Sequence, residues 1–354
     1  MPLLVLSSPD TCVTKSNILP SAIACADTST THRPELCELS ALPTTLGPPL
    51  AVGKCLADLL GAGLTDADLA RVDIILTCGV GANAATADTL REVFAACPGV
   101  KWVHSCSAGV NHCLFPELVE SPVVLTNARG VYSNSLAEWA LLSCLYFAKD
   151  LPRLMAAKAD ASWRPYDVEE LRGKTLGVVG YGDIGRSTAT LAKAFGMRVI
   201  ALRRTGGGSG GDGIASALYG PDALDELLAD SDYVLMATPL TAQTQGMLAA
   251  RQFAAMRPHA VFINIGRGAC VDEQALVQVL TSRAIRGAAL DVFNVEPLPH
   301  DSPLWTLPNV LLSPHCADRT ATFQHDAVRA FVANAALFAA GQPLSSVVDK
   351  RAGY

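Results

Sequence analysis

Three side chains late in the sequence have the types and spacing needed to move a proton beside an anion. Arg267 stands in Asn264-Ile265-Gly266-Arg267-Gly268, Glu296 in Asp291-Val292-Phe293-Asn294-Val295-Glu296-Pro297, and His315 in Ser313-Pro314-His315-Cys316-Ala317. A guanidinium holds a carboxylate through paired N–H bonds and polarises a carbonyl beside it. An imidazole gives a proton to the carbonyl oxygen and takes it back in the reverse direction. A carboxylate behind the imidazole favours its charged form and fixes the ring. Each residue alone has a plainer reading: a structural histidine after proline, a turn acid before proline, a surface arginine. The three in this order, each after an apolar run, point to reduction of a keto acid or oxidation of a hydroxy acid.

That chemistry needs a hydride carrier, and the sequence offers a place for one. Gly180-Tyr181-Gly182-Asp183-Ile184-Gly185 fits GxGxxG, directly after the apolar strand Leu176-Gly177-Val178-Val179 and at the start of a helical pattern. Gly180 permits the tight turn, Gly182 lets a pyrophosphate approach the backbone, and Gly185 lets the helix pack closely on the strand. The helix N-terminus then offers free N–H donors and partial positive charge. The next strand, Arg198–Leu202, ends where an NAD site places an acid for the ribose hydroxyls. Arg203-Arg204-Thr205 stands there instead, and guanidinium groups suit a 2′-phosphate. The expected cofactor is therefore NADPH in preference to NADH. The alternative is two exposed arginines with NAD still bound.

Strand and helix patterns supply the scaffold. Short apolar runs at Leu3–Leu6, Ile74–Thr77, Trp102–His104 and Val123–Thr126 alternate with helical patterns around Leu56–Leu60 and Thr86–Ala96. Such alternation argues for a parallel α/β sheet. One long helical pattern runs from about Asn134 to Ala157. A second alternation follows: strands at Thr175–Val179, Arg198–Ala201, Tyr233–Met236, Val261–Ile265, Ala288–Leu290 and Val310–Leu312, with a helix from about Ile184 to Phe195. The carboxyl ends of parallel strands face the ligand, so Arg267, Glu296 and His315 are expected at one mouth. A last helical pattern, Ala321–Ala340, is expected to return to the first sheet. The expected domains are residues 1–133 and 134–315, with 316–354 rejoining the first. Residues 7–50 are rich in Pro, Ser and Thr and are less legible. Gly206-Gly207-Gly208-Ser209-Gly210-Gly211-Asp212-Gly213 reads as a flexible surface insertion.

Composition narrows the field. Half of the 354 residues are hydrophobic and 17% are charged, so the chain can bury large cores. A net charge of −6 leaves no basic footprint for nucleic acid. The apolar stretch Leu136–Ala148 is too short to span a membrane and carries Glu138. The 11 cysteines are odd in number and form no CxxC pair. No metal site is expected, and the thiols read as reduced. With no basic leader pattern, the expected location is the cytoplasm.

The motifs GYGDIG, ATPLTAQT, NIGRGACVDEQAL, ALDVFNVEPLP and LLSPHCA together resemble the D-isomer-specific 2-hydroxyacid dehydrogenase family, from about Ile74 to Asp318. The resemblance implies a flavodoxin-like substrate domain and a Rossmann coenzyme domain with a doubly wound parallel sheet. It implies substrate binding by Arg267 and proton relay by Glu296 and His315. It implies a carboxylate grip by the backbone of Val80 and Gly81, as in relatives that reduce glyoxylate and hydroxypyruvate; a simple turn is the alternative. Cofactor contacts are implied at Thr238, Pro239, Thr244, Ile265, Asp291, His315 and Ala317. A homodimer is implied through the coenzyme domains, involving residues from about 134 to 165, including Trp139 and Trp163. An NAD-linked D-lactate or 3-phosphoglycerate dehydrogenase, formate oxidation on the same scaffold and a dinucleotide-sensing corepressor are the competing readings. The chain departs from the family pattern at Asn111 and at Cys316-Ala317-Asp318. The thiol of Cys316 is either redox-sensitive or an inert small residue.

Overall fold

A computed structural model describes residues 1–6, 55–78, 85–204 and 211–354, and the backbone of 51–53. Val80, Gly81 and Thr205 lie outside these described residues, as does the stretch 7–50. The chain divides into two compact units, Met1–Val131 with Thr320–Tyr354, and Tyr132–Arg319.

The first unit holds strands β1 (Leu3–Leu6), β2 (Ala51–Gly53), β3 (Ile74–Thr77), β4 (Trp102–Ser105) and β5 (Val124–Asn127). They form one parallel sheet in the order β2-β1-β3-β4-β5, the flavodoxin-like arrangement. β1, β3 and β4 are buried along their whole length. That is why they read as continuous apolar runs rather than as alternation: both faces of the sheet are covered. One face packs Leu4, Leu6, Ile75, Val103 and Leu125 against Leu90, Val93 and Leu118. On the other, Trp102 stacks on Phe331 of the last helix, Phe323–Ala339, with ring centroids 5.1 Å apart. The tail then bonds along the sheet edge, with Lys350 Nζ donating to the carbonyls of Leu118, Ser121 and Val123.

The second unit holds β6 (Thr175–Val179), β7 (Arg198–Leu202), β8 (Ala217–Tyr219), β9 (Tyr233–Met236), β10 (Val261–Asn264), β11 (Gly287–Leu290) and β12 (Val310–Leu312). Their order, β12-β11-β10-β9-β6-β7-β8, is the doubly wound Rossmann order with one added edge strand. The strand order reverses at β6, so the crevice at its carboxyl end falls beside the Gly-rich turn.

One expected element differs. The helical run from Asn134 to Ala157 is two helices, Ser133–Ala148 and Leu151–Ala159, broken at Asp150 with φ of 48°. Pro152 has no N–H to donate to the Ala148 carbonyl, so the first helix cannot continue through it. Among the described residues, no helix is long and apolar enough to cross a membrane.

Replacing Phe331 by Ala should remove the stacked contact under β4 and lower stability by about 3–5 kcal/mol. Chemical denaturation of the whole chain measures this. A loss below about 1 kcal/mol would show that the last helix does not pack on Trp102 as described.

Candidate active site

Three neighbouring strands bring the chemistry to one edge of the second sheet. β10, β11 and β12 run parallel and in register, so the segments after Asn264, Leu290 and Leu312 leave on the same side. Arg267 is extended, with φ of −141° and ψ of 141°, and its Nη1 donates to the Gly266 carbonyl at 2.8 Å. Gly268 fixes how closely this segment meets the next. A Cβ there would lie 2.0 Å from the backbone carbonyl of Phe293, inside contact distance. The lack of a side chain at 268 lets the Arg267 segment lie against the segment carrying Glu296.

His315 is held from several directions. Its Nδ1 is 2.7 Å from Glu296 Oε2, and Glu296 Oε1 accepts the Phe293 amide at 3.0 Å. The histidine backbone has φ of 50°, a left-handed conformation costing roughly 1–2 kcal/mol for a residue with a Cβ. Asp291 offsets that strain. Its carbonyl accepts the His315 amide at 2.9 Å. Its carboxylate accepts the Cys316 and Ala317 amides at 2.9 and 3.2 Å, and the Ser313 hydroxyl. Ser135 Oγ donates to the Ala317 carbonyl at 2.6 Å and ties this loop to the Ser133–Ala148 helix.

The charges follow from this packing. The bond to Glu296 raises the His315 imidazole above its ordinary value, against burial and the Arg267 charge. Burial raises the Glu296 carboxyl, but the His315 bond, the Phe293 amide and the His315 and Arg267 charges outweigh it and hold it below the usual range. Burial lowers the Arg267 guanidinium, with Glu296 first among the groups that counter it, and an arginine so placed still keeps its charge. Burial also raises the carboxyls of Asp291 and Asp318.

The Gly-rich turn lies at the end of β6, also in this unit. Gly180 has φ of 101°, and a Cβ there would lie 2.7 Å from the Ala237 backbone. The amides of Gly180 and Tyr181 donate to Leu202 at the end of β7. Gly182 caps the Asp183–Ala194 helix with no side-chain bond, and a Cβ there would meet open space. Thr238, after β9, buries a hydroxyl that has no hydrogen-bond partner among the described residues. A Gly-rich turn at a helix N-terminus and an orphaned hydroxyl fit a bound dinucleotide. Thr244 is otherwise engaged: its hydroxyl donates to the Pro239 carbonyl at 2.6 Å and closes the 239–244 turn. Ile265 is buried directly after β10. Arg203 and Arg204 are exposed directly after β7.

Sequence reasoning missed two groups. Ser135 carries no signal in the sequence, because its partner is a backbone carbonyl far along the chain. Asp212 did carry one, as the sole charged residue of the Gly206–Gly213 run. The described end of that run is tied down rather than a free insertion. Asp212 accepts from the Tyr181 hydroxyl at 3.2 Å and from Arg186 Nη1 at 2.9 Å. At residues 211–213 the Asp212 carboxylate overrides what the composition predicts; residues 206–210 lie outside the described residues.

Comparison with known proteins places these features. A family model described as D-isomer specific 2-hydroxyacid dehydrogenase, NAD binding domain, matches residues 141–317. The chain is 31% identical over 268 residues to a glyoxylate reductase of Thermococcus gammatolerans, covering 73% of this chain and 79% of that protein. It is similar to the solved structure of a D-isomer specific 2-hydroxyacid dehydrogenase from Xanthobacter autotrophicus in complex with NADPH and MES. There the TM-score is 0.75 and the identity 29%, over 100% of this chain and 99% of that one. An NADPH-dependent glyoxylate/hydroxypyruvate reductase from Sinorhizobium meliloti, in complex with NADP and sulfate, gives a TM-score of 0.71 at 25% identity, over 100% and 99% of the two chains.

Changing Glu296 to Gln should lower the His315 pKa, since the bond to the Glu296 carboxylate is the largest cause of its rise. Ring-proton NMR across a pH titration reads this directly. The sign for stability follows. His315 is raised, so its share is full below the ordinary histidine value and is lost as pH rises through the raised one. Glu296 is lowered, so its share is lost as pH falls through the lowered value. An unchanged His315 titration in the variant would contradict the pairing.

Proposed function

The chain belongs to the D-isomer specific 2-hydroxyacid dehydrogenase family, and on that premise we propose that it reduces a small 2-keto acid with NADPH to a D-2-hydroxy acid. The substrate class is glyoxylate or hydroxypyruvate. The observation that carries this reading is the His315–Glu296 bond of 2.7 Å on the strand edge that also bears Arg267.

The bound nicotinamide, when reduced, supplies the hydride. The residues of the chain do the rest. Arg267 holds the substrate carboxylate and draws electron density from the carbonyl oxygen. Glu296 occupies Nδ1 of His315, so the proton to be transferred sits on Nε2. His315 gives that proton to the carbonyl oxygen as charge develops there, and Glu296 balances the imidazolium before transfer. Asp291 keeps the ring in place through the backbone of residues 315–317. Val80 and Gly81 are proposed to grip the substrate carboxylate through their amides. Thr238, Pro239, Thr244, Ile265, Asp291 and Ala317 are proposed around the cofactor.

Cofactor choice rests on the end of β7. Arg203 and Arg204 stand where an acid would serve NADH. The next acid along the chain, Asp212, has its oxygens taken by Tyr181, Arg186 and the amides of Ile214 and Ala215. It has little capacity left for ribose hydroxyls. The Xanthobacter and Sinorhizobium structures contain NADPH and NADP, which supports the same choice. A homodimer is proposed through the second unit, where Leu142, Leu154, Met155, Trp163 and Val168 are exposed; Trp163 is 95% exposed. Several large exposed apolar side chains along one stretch of chain are expected of an association surface.

A panel of small 2-keto acids, followed by nicotinamide absorbance with NADPH and NADH, tests the reading. Turnover of glyoxylate or hydroxypyruvate with NADPH is the expected result; binding without turnover across the panel would favour a sensor. Replacing His315 by Ala should cut kcat by about 10²–10⁴ and leave NADPH affinity nearly unchanged. Survival of full activity in that variant would remove His315 from the mechanism. Replacing Arg203 by Asp together with Arg204 by Ala should lower the NADPH-to-NADH ratio of kcat/KM by about tenfold or more. An unchanged ratio would overturn the cofactor assignment.

A further inference from the structure

The carboxylate of Asp212 joins three parts of the second unit. It accepts from the Tyr181 hydroxyl, at 3.2 Å to one oxygen and 3.3 Å to the other. Tyr181 belongs to the Gly-rich turn. The Asp212 carboxylate also accepts from Arg186 Nη1 at 2.9 Å, in the first turns of the Asp183–Ala194 helix. It accepts from the amides of Ile214 and Ala215 at 3.1 and 3.0 Å, and so closes the turn that leads into β8.

That turn is coupled to the end of β7 through described bonds. The amide and hydroxyl of Ser216 both donate to the Val199 carbonyl, at 2.8 and 2.7 Å. β8 pairs with β7 as far as Tyr219 opposite Leu202. The Arg203 amide donates to the Tyr219 carbonyl at 3.1 Å. A displacement at Asp212 is therefore passed along β8 to the backbone that presents Arg203 and Arg204. The Tyr181 bond fixes the same carboxylate to the turn that faces the pyrophosphate.

We propose that Asp212 is a positioning residue for cofactor choice, joining the Gly-rich turn to the limb that holds the Arg203–Arg204 pair so that both meet one 2′-phosphorylated dinucleotide in register. The inference rests on the reading that NADPH is preferred. A 2′-phosphate bonded by two guanidinium groups demands a fixed distance between those groups and the pyrophosphate; NADH makes no such demand. The Arg186 ion pair also balances the Asp212 charge, so the carboxylate offers little repulsion to a phosphate nearby.

The test is equilibrium binding by calorimetry to the whole chain, with NADPH, NADH and adenosine 2′,5′-bisphosphate as probes. Asp212→Ala should raise Kd for NADPH and for the bisphosphate about tenfold, the scale of one lost charge-assisted bond, and move NADH by less than about twofold. Should that variant fail to fold, Tyr181→Phe removes only the hydroxyl, and should shift the same two probes about threefold in the same direction. Asp212→Asn keeps one acceptor oxygen for the turn into β8 and should recover part of the loss. Equal weakening of NADPH and NADH would make Asp212 a support for the dinucleotide turn in general and overturn the inference. No change in any probe would overturn it too. The unmutated chain separates the two readings: if it binds NADH as tightly as NADPH, the cofactor reading fails first and the inference falls with it.

Discussion

One hydrogen bond organises the candidate site: the contact of 2.7 Å between His315 Nδ1 and Glu296 Oε2. It sets the tautomer, the ring plane and the proton affinity of the imidazole together. It also decides which segments must be rigid, because the partners lie on loops after different strands. Glu296 is fixed by the Phe293 amide, and His315 by the Asp291 carbonyl. The second histidine near a strand end shows the other fate of such a ring. His104, buried beside Trp102 and Phe331, is pushed down to about 3 by burial and stays neutral. Position on a strand does not make a histidine an acid; the carboxylate behind it does.

The architecture was legible because buried parallel strands write themselves as apolar runs. β1, β3, β6 and β9 coincide with runs visible in the sequence, and each is buried along its whole length. The pair of helices at Ser133–Ala148 and Leu151–Ala159 was not legible as two. Apolar spacing continues across the break, and only Pro152 marks it. Arg267, Glu296 and His315 could be chosen from the sequence because each follows an apolar strand in a parallel sheet, where strand ends gather. What holds them could not. Ser135 reaches a carbonyl 182 residues away, and Asp291 works mainly through backbone amides, which have no identity in a sequence.

The same device recurs along this sheet with a different electrostatic result. At the opposite end of the strands, Asp232 accepts the Thr175 amide at 2.7 Å, Arg257 Nη1 at 3.1 Å and His259 Nε2 at 2.8 Å. Burial raises its carboxyl, but the Thr175 amide, His259 and Arg257 prevail and hold it low. Asp291 accepts only from amides and a hydroxyl, and burial prevails, so its carboxyl is raised. Both acids anchor backbone, yet only Asp232 is hydrogen-bonded to cationic side chains.

That difference follows from what the reaction edge must tolerate. Arg267 is the proposed carboxylate anchor, and its charge lowers the proton affinity of His315. A further lysine or arginine on Asp291 would add to that effect and leave less of the ring protonated. Glu296 by contact, and Asp291 through its charge, act in the other direction. When a substrate carboxylate meets Arg267, the positive charge felt by His315 is offset and its proton is held more firmly. In the proposed reaction, binding of the anion favours the protonated ring from which reduction would begin, and departure of the product acid would let Arg267 act on the ring again. On the proposed reading, one arginine and the glutamate that contacts the imidazole would couple occupancy to protonation at this edge.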